Sequence, residues 1–270
     1  MIDLHCHILP AIDDGAADLE TALEMARMAV ADGITHLCCT PHIIPGLYEN
    51  DRASVAKATA RLRRVLDEHQ IDLKLLEGGD VHVAPDLLNQ FNSGMLPVLG
   101  RSNYFLLEPP HHVLPPRLVE IVRALVEASC VPIITHPERL TWIEAHYDVL
   151  VRLSSLGALV QLTAGSITGA FGSRPKALAE RMLDEGLVDV IATDAHNLRS
   201  RPPILSRARD EVAKRLGEDQ ARDMVLGRPA AILARQPLPE RRTAIMPQNE
   251  VNSESLVGRL GHWLDRLRGS

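Results

Sequence analysis

The feature that most restricts the fold is a repeated alternation of short apolar runs with amphipathic stretches. Seven short runs are rich in β-branched and aliphatic residues, at residues 2–7, 34–40, 73–78, 104–108, 131–136, 158–163 and 188–193. Runs of this kind are typical of strands buried on both faces. Stripes with helical spacing separate several of them, at residues 19–30, 52–69, 116–129 and 175–186. Repeated strand–helix units predict parallel strands with right-handed crossovers, in either an open α/β sheet or a barrel.

Length and composition allow one large domain but do not require it. A chain of 270 residues fits either two domains or a single α/β barrel. Hydrophobic residues make up 46% of the sequence and aromatic residues only 3%, so aliphatic side chains must fill the core. The formal net charge of −6 argues against nucleic acid as an electrostatic partner.

Targeting and redox signals predict a cytoplasmic protein. No apolar run approaches the length of a membrane span, and the sequence does not begin with a basic-then-apolar signal peptide. Four cysteines, Cys6, Cys38, Cys39 and Cys130, lie in apolar, strand-like runs without a CxxC spacing. Such cysteines are expected to be reduced, buried thiols.

Histidine and carboxylate residues collect at one end of the predicted strands. His5 and His7 alternate with apolar residues in the first run, so they share one face of the strand. That pair alone fits a metal site and a pair of exposed edge-strand histidines about equally well. Six of the seven predicted strands, however, carry a metal-capable residue at or just after the carboxyl end. Because α/β folds form their active sites at that end, the pattern predicts a metal centre to which most strands contribute.

The candidate ligands are nine imidazole and carboxylate side chains: His5, His7, Asp14, His42, Asp80, Glu108, His136, Asp194 and His196. Nine ligands exceed the needs of one tetrahedral zinc, and the lack of cysteine among them argues against a structural zinc. Mixed nitrogen and oxygen donors suit two or three catalytic ions of the manganese, iron or zinc type. Centres with several ions hydrolyse phosphate esters, which are among the most inert biological substrates.

Two arginines and two further histidines lie close to these residues in the sequence. Arg139 lies in the "HPER" segment after the fifth run, and Arg201 lies in "NLRSRPP" after the seventh. Both are candidates to bind phosphate oxygens, and a surface salt bridge is the alternative for each. His111 and His112 follow the fourth run and either line the pocket or lie in an exposed loop, and the second interpretation is preferred.

The chain resembles a known superfamily in a series of short motifs. In order, these are "DLHCHILPAIDDG", "TPH", "GGD", "LLE", "HPER" and "TDAHN" with a following "RPP". They resemble the polymerase and histidinol phosphatase (PHP) superfamily and, more narrowly, its bacterial protein-tyrosine phosphatases from capsule and exopolysaccharide loci. The similarity covers about residues 1–235. It implies an α/β protein with a distorted TIM-like (β/α)7 barrel, the PHP fold, and an active site at the carboxyl ends of the strands.

The resemblance also implies a centre of three metal ions, usually manganese, with iron or zinc as alternatives. The implied ligand sets are His5, His7 and Asp194; Asp80, Glu108 and His136; and Asp14, His42 and His196. Asp80 would bridge the first two ions, and Arg139 and Arg201 would bind the phosphate. The implied reaction is attack of a metal-bound hydroxide on phosphorus, with tyrosine as the leaving group and without a phosphoenzyme.

The sequence departs from the family pattern at two places. The bridging position, which more often holds glutamate, holds Asp80, whose shorter side chain affects metal affinity and preference. The chain also continues after residue 235, with a predicted linker without fixed structure at 236–254 and a short amphipathic helix at 255–270. That helix is expected to pack on the body or a partner subunit, with contact to a membrane surface as the alternative. Asp14 is preferred to Asp13 as the ligand by its position in the motif.

The leading hypothesis is a manganese-dependent phosphotyrosine-protein phosphatase. Its expected substrate is a membrane-associated bacterial tyrosine kinase that regulates capsule or exopolysaccharide synthesis. The ligand pattern supports phosphoesterase chemistry independently, whereas the tyrosine substrate rests on the resemblance. The alternative enzyme is a small-molecule phosphomonoesterase such as a histidinol-phosphate phosphatase. A scaffold that binds the kinase without turnover is disfavoured by the complete ligand set, and an exonuclease by the acidic charge.

Overall fold

The computed structural model describes residues 1–239. The strands are β1 (Ile2–Cys6), β2 (His36–Cys39), β3 (His42–Ile43), β4 (Lys74–Glu77), β5 (Asp80–His82), β6 (Tyr104–Glu108), β7 (Val131–Thr135), β8 (Leu159–Thr163) and β9 (Val190–Ala192). The α-helices are α1 (Leu19–Ala31), α2 (Arg52–Glu68), α3 (Leu87–Asn92), α4 (Leu118–Glu127), α5 (Tyr147–Ser155), α6 (Ala164–Thr168), α7 (Ser173–Asp184), α8 (Ser206–Leu216), α9 (Glu218–Arg222) and α10 (Arg228–Ala234). Within this part of the chain, no helix is long and apolar enough to cross a membrane. The predicted helix at 255–270 and all but the first four residues of the predicted linker at 236–254 lie outside the described residues.

The predicted α/β alternation is confirmed, but the strands form two parallel sheets instead of one ladder. The order is β1-β2-β4 in the first sheet and β3-β5-β6-β7-β8-β9 in the second. The predicted strands at 34–40 and 73–78 correspond to β2 and β4, and each is followed after a short break by a further strand, β3 or β5, that pairs in the second sheet. Gly79 lies at the second break, where an added Cβ would come within 2.6 Å of Ile43 Cδ1. The close contact there leaves no room for a side chain.

The first and last strands meet at their carboxyl ends. Cys6 and Ala195 form a parallel bridge, and the His7 amide donates to the Ala195 carbonyl at 2.9 Å. The Asp194 amide donates to the His5 carbonyl at 2.8 Å. The strand order therefore returns from β9 to β1, which gives a distorted, barrel-like arrangement that is divided between β2 and β3 and between β4 and β5.

The strands separate two apolar layers. Leu107 of β6 and Ile134 of β7 belong to the layer that includes the helices, whereas the preceding residues face the other way. Those preceding residues, Leu106 and Ile133, belong to an inner core of buried residues, which comprises Ile2, Leu4, Cys38, Leu99, Leu106, Ile133, Leu159, Val190 and Ile232. Several of them begin or nearly begin their strands, and Ile232 of α10 packs with them. The inner core thus fills the amino-terminal end of the strands and leaves the carboxyl-terminal end for polar groups.

Aspartates fix the beginnings of two helices. At the start of α1, Asp18 Oδ1 accepts a hydrogen bond from the Thr21 amide at 2.8 Å. At the start of α8, the acceptor comes from the far end of α1, because Asp32 Oδ2 accepts from the amides of Leu205 and Ser206 at 2.6 and 2.9 Å. Both contacts satisfy amides that lack a partner inside a helix. The second also ties α8 to the end of α1.

Candidate metal centre

The strands direct polar side chains to the region above the inner core. Glu108 lies two residues after the inner-core residue Leu106, and Gln161 lies two residues after Leu159, so both continue the inward-facing positions. In β1 the register against β2 shifts between Asp3 and Cys6. Such an irregularity re-aims side chains next to a site.

His5 and His7 face each other through nitrogen atoms that carry lone pairs. His5 Nδ1 donates to Gln161 Oε1 at 2.8 Å, and His7 Nδ1 donates to Asp13 Oδ2 at 2.7 Å. In the neutral rings that can bind metal, these outer partners leave each Nε2 with a lone pair, and the two Nε2 atoms are only 3.1 Å apart. Two lone pairs at this distance repel unless a cation lies between or beside them. The arrangement is typical of metal ligands whose rings are oriented by outer hydrogen bonds.

The "DDG" segment folds back onto the end of β1. The Ala16 amide donates to the His7 carbonyl at 3.0 Å. Gly15 approaches so closely that an added Cβ would lie 2.1 Å from the His7 carbonyl oxygen and 2.5 Å from His7 Cβ. Only glycine allows this approach, which holds the two preceding aspartates over the strand end.

The two aspartates of this segment have different positions. Asp13 Oδ2 contacts His7 and also accepts the His42 amide at 3.0 Å. Asp14 Oδ1 instead lies 3.4 Å from His196 Nε2 and 3.5 Å from His42 Nε2. Asp14 is therefore grouped with the candidate ligands, and Asp13 lies behind them.

Asp80 lies in the middle of the cluster and is fully buried. Its Oδ2 is 3.4 Å from His5 Nε2 and 3.3 Å from His42 Nδ1, and His42 Nδ1 is also 3.3 Å from Glu108 Oε2. Neither Asp80 oxygen has a hydrogen-bond partner within residues 1–239. A buried carboxylate without hydrogen bonds is costly unless a positive charge compensates it. Asp80 is the residue whose environment most clearly requires a cation.

His136 and Asp194 have unusual backbone conformations at the ends of their strands. Their φ angles are +36° and +51°, in the left-handed region that non-glycine residues rarely occupy. Such strain costs about 1–3 kcal/mol and collects at functional sites. The resulting turn brings His136 Nε2 to 3.8 Å from Glu108 Oε1 and Asp194 Oδ1 to 3.4 Å from His5 Nε2.

Both predicted arginines contact the same carboxylate oxygen. A guanidinium nitrogen of Arg139 and one of Arg201 each lie 2.5 Å from Asp194 Oδ2. The other oxygen, Oδ1, faces His5 and His7. Both arginines therefore form ion pairs, as the alternative expected, but with a buried carboxylate instead of one at the surface. The two arginine side chains are about one-fifth exposed, so they also reach solvent.

Neighbouring charges keep the carboxylates of the cluster ionised. Burial raises the pKa of Asp194, but the charge of His5 outweighs this effect and holds the pKa well below its usual range. Burial and then the charge of Asp80 raise the pKa of Glu108, whereas the close contact with His42 lowers it, with a final pKa of about 2. Ionised carboxylates are the form that binds metal ions.

Two histidines are kept neutral by their surroundings. Burial, followed by the charge of Arg139, lowers the pKa of His136 to about 3. Burial, followed by the charge of His7, lowers the pKa of His196 to about 4. Both rings are therefore neutral near pH 7, which is the state in which imidazole acts as a ligand.

The donor atoms fall into four overlapping groups within which all ligand atoms lie within 4.8 Å of one another. The groups are His7, Asp14, His42 and His196; His5, His7 and Asp80; Glu108, His111 and His136; and His42, Asp80 and Glu108. Several of these atoms are buried without hydrogen-bond partners in the described part of the chain, among them Asp194 Oδ1 and His196 Nε2. Buried, unpartnered oxygen and nitrogen donors in overlapping groups fit a centre with more than one ion.

Some residues of the cluster are not among the predicted ones. His111 was expected in an exposed loop, but its Nε2 lies 4.0 Å from Glu108 Oε1 and its side chain is only one-third exposed. His82, at the end of β5, has Nδ1 3.8 Å from Glu108 Oε2. Gln161 holds His5 from behind. His112, in contrast, is exposed as expected.

A family model and several relatives match this chain. The model for capsular polysaccharide synthesis proteins CpsB/CapC matches residues 1–234. The chain belongs to the CpsB/CapC family. The tyrosine-protein phosphatase YwqE of Bacillus subtilis is 37% identical over 201 residues, which cover 74% of this chain and 79% of YwqE. The tyrosine-protein phosphatase CpsB of Streptococcus pneumoniae is 27% identical over 87% of this chain and 99% of its own.

Solved structures support the same family and a wider fold. A structure reported with YwqE from B. subtilis and CpsB from S. pneumoniae as metal-dependent tyrosine phosphatases matches with a TM-score of 0.86 and 33% identity, over 90% of this chain and 98% of that one. A phosphotriesterase homology protein from Escherichia coli matches with a TM-score of 0.53 and 10% identity, over 86% and 97% of the two chains. The second match shows that the fold also occurs in a more distant protein.

Proposed function

We propose that this CpsB/CapC protein is a metal-dependent phosphotyrosine-protein phosphatase that acts on a bacterial tyrosine kinase of capsule or exopolysaccharide synthesis. The observation that carries the proposal is the buried cluster of histidines and carboxylates, whose donor atoms lack hydrogen-bond partners within residues 1–239. The relatives YwqE and CpsB, which are named tyrosine-protein phosphatases, support the substrate class.

The residues proposed to hold metal are the nine of the cluster: His5, His7, Asp14, His42, Asp80, Glu108, His136, Asp194 and His196. Bound ions supply a nucleophile at neutral pH and stabilise charge on the phosphoryl oxygens. The mixture of five imidazole and four carboxylate donors suits manganese, with iron or zinc as competitors. Buried Asp80, which lies between His5 and His42, is the proposed bridge between two ions.

The two arginines are proposed to bind the phosphate of the substrate. Arg139 and Arg201 converge on Asp194 from the solvent side, and each guanidinium has more donors than this contact uses. Their remaining N–H groups are oriented by Asp194 before substrate arrives. A planar fork of donors on each side matches the geometry of a phosphate group.

The first test compares substrates after metal removal. Protein treated with a chelator and then reloaded with manganese, zinc or iron would be assayed with a phosphotyrosine peptide and with histidinol phosphate. We expect the peptide to be preferred and manganese to restore the most activity. Preference for histidinol phosphate would keep the site and reject the protein substrate. Activity that survives chelation would reject the metal-dependent mechanism.

We propose that residues 1–235 form the phosphoesterase domain and that the segment at 236–270 serves a partner or a membrane surface in the cytoplasm. The family match to residues 1–234 supports this division. Deletion of residues 240–270 is expected to leave hydrolysis of a small aryl phosphate unchanged, because the proposed site residues all lie before residue 202. A large loss of this activity would show that the deleted segment contributes to the site.

A further inference from the structure

A second cavity, rich in arginine, adjoins the candidate metal centre. Its volume is about 180 Å³, and its walls include Arg199, Arg201 and Arg207. None of its lining residues is acidic, in a chain whose formal net charge is −6. Sites for drug-sized ligands occupy about 300–1,000 Å³, so this space suits one chemical group of a larger ligand.

Two of the three arginines have uncompensated charges. For comparison, Arg209 of α8, which is not one of these three, pairs with Asp210 at 2.5 Å. Arg199 and Arg207 are exposed and take part in no comparable ion pair within residues 1–239. The Nε atom of Arg201 is buried and has no hydrogen-bond partner in the same part of the chain. The cavity therefore combines positive charge with unused donors.

The cavity shares residues with the proposed phosphate site. Arg201 lines it and also contacts Asp194 Oδ2. Phe171 lines it too, and its ring centroid lies 5.1 Å from the guanidinium carbon of Arg139. Thr193, next to Asp194, forms another part of the wall. A group bound in the cavity would therefore lie next to a phosphate held by Arg139 and Arg201, because Arg201 belongs to both sites.

The backbone that carries the arginines is held in place before any ligand binds. Asn197 Oδ1 accepts hydrogen bonds from the amides of Arg199, Ser200 and Arg201 at 3.0, 2.9 and 3.2 Å. This side chain fixes the turn that carries two of the arginines. The third, Arg207, lies in the first turn of α8, which Asp32 anchors. Pre-formed sites lose less entropy when they bind.

We infer that this cavity is a subsite for a second anionic group of the substrate, close in sequence to the phosphotyrosine. The group is an acidic side chain or a second phosphate, since both match the guanidinium groups of Arg199 and Arg207. This subsite rests on the proposed function. It defines the substrate class as phosphotyrosine segments that carry further negative charge.

The test uses three phosphotyrosine peptides that differ only in the flanking residues. One carries glutamine within three residues on each side, the second carries glutamate there, and the third carries phosphoserine. With the manganese-loaded full chain, we expect kcat/KM to be about tenfold higher for an anionic peptide than for the glutamine peptide, mainly through a lower KM. A larger gain with glutamate identifies the acidic side chain as the ligand, and a larger gain with phosphoserine identifies the second phosphate.

Two variants distinguish binding in the subsite from a general electrostatic attraction between arginines and anionic peptides. In Arg199→Gln/Arg207→Gln, the ratio between anionic and glutamine peptides is expected to fall close to one. Arg209→Gln, which removes an ion-paired arginine from the same helix, is expected to keep the wild-type ratio. An unchanged ratio in the double variant, an equal loss in the control, or no preference in the wild type would overturn the subsite. Failure to hydrolyse any of the three peptides would instead overturn the proposed function.

Discussion

Buried carboxylates lie at both ends of the strands, and Asp80 at the carboxyl-terminal end lacks the hydrogen-bond partners that Asp189 has at the amino-terminal end. At the amino-terminal end, Asp189 precedes β9 and contacts Arg228 at 3.0 Å, and its other oxygen accepts the Val160 amide at 2.9 Å. Arg228 also contacts Asp223 at 2.8 Å. At the carboxyl-terminal end, Asp80 is equally buried, yet neither of its oxygens has a hydrogen-bond partner within residues 1–239. A buried charge with partners holds a fold together, whereas one without them requires a ligand.

The largest expected effect is on stability, at the amino-terminal end. Arg228→Ala removes the guanidinium from the fully buried carboxylate of Asp189 and is expected to lower the free energy of unfolding by about 3–5 kcal/mol. Denaturant unfolding would measure this loss, and turnover per folded molecule should stay close to wild type. The matched control is Arg215→Ala, which breaks an exposed pair with Asp184 and should cost at most about 1 kcal/mol. Equal losses in the two variants would contradict the comparison.

The second effect is on activity, at the other end. His136→Ala removes a neutral, buried imidazole from the cluster and is expected to reduce kcat/KM for a phosphotyrosine peptide by about a hundredfold or more, since even outer partners of ligands are worth 10–100-fold. The free energy of unfolding should change less than in Arg228→Ala, because His136 Nδ1 has no hydrogen-bond partner to lose within residues 1–239. Exposed His112→Ala serves as the control. Wild-type turnover in His136→Ala would remove this residue from the site.

A smaller effect is expected behind the cluster. Gln161→Leu removes the acceptor that orients His5, so manganese affinity should fall about 10–100-fold while the remaining activity is recovered at high manganese concentration. Titration of activity against manganese would measure the shift, and Gln161→Glu, which keeps an acceptor oxygen, should show less of it. A loss that excess metal does not restore would assign Gln161 a role other than positioning.

The smallest effect is expected for Asp80→Glu. The resemblance implies that glutamate is more usual at this position, so the longer side chain should preserve or improve activity if the residue bridges two ions. Asp80→Asn, which removes the charge, should abolish activity. Metal content and kcat of both variants would be compared. A folded but inactive Asp80→Glu protein would show that the cluster is built around the shorter acid.

Most of the nine candidate ligands could be chosen from the sequence, because alternation along strands and position at strand ends are local patterns. His5 and Glu108 belong to this class, since each lies in a strand whose apolar neighbours are visible in the sequence. Which of Asp13 and Asp14 lies among the candidate ligands depends on the path of a loop, and in the sequence only the position in the motif pointed to Asp14. The outcome depends on how closely Gly15 approaches the backbone of His7.

Other features depend on long-range geometry and left no local signal. The further strands β3 and β5, which follow the predicted strands at 34–40 and 73–78, form by pairing with each other in a second sheet. His111 lies in a loop whose amino acids do not indicate its direction, and the fold brings its ring centroid to 5.2 Å from that of His136. Gln161 is a polar residue inside an apolar strand, which is the one signal that could have identified it.

Asp194 couples the proposed phosphate site to the proposed metal site. One oxygen of this carboxylate faces the arginines proposed to bind phosphate, and the other faces two histidines proposed to bind metal. Binding of phosphate on one side, or of metal on the other, therefore changes the electrostatic environment of the opposite side. By thermodynamic linkage, the factor by which metal loading changes phosphate affinity must equal the factor by which phosphate changes metal affinity. An inhibitor that mimics phosphate should therefore alter the affinity for metal. The phosphate released by the reaction should do the same, by the factor by which bound metal alters the affinity for phosphate.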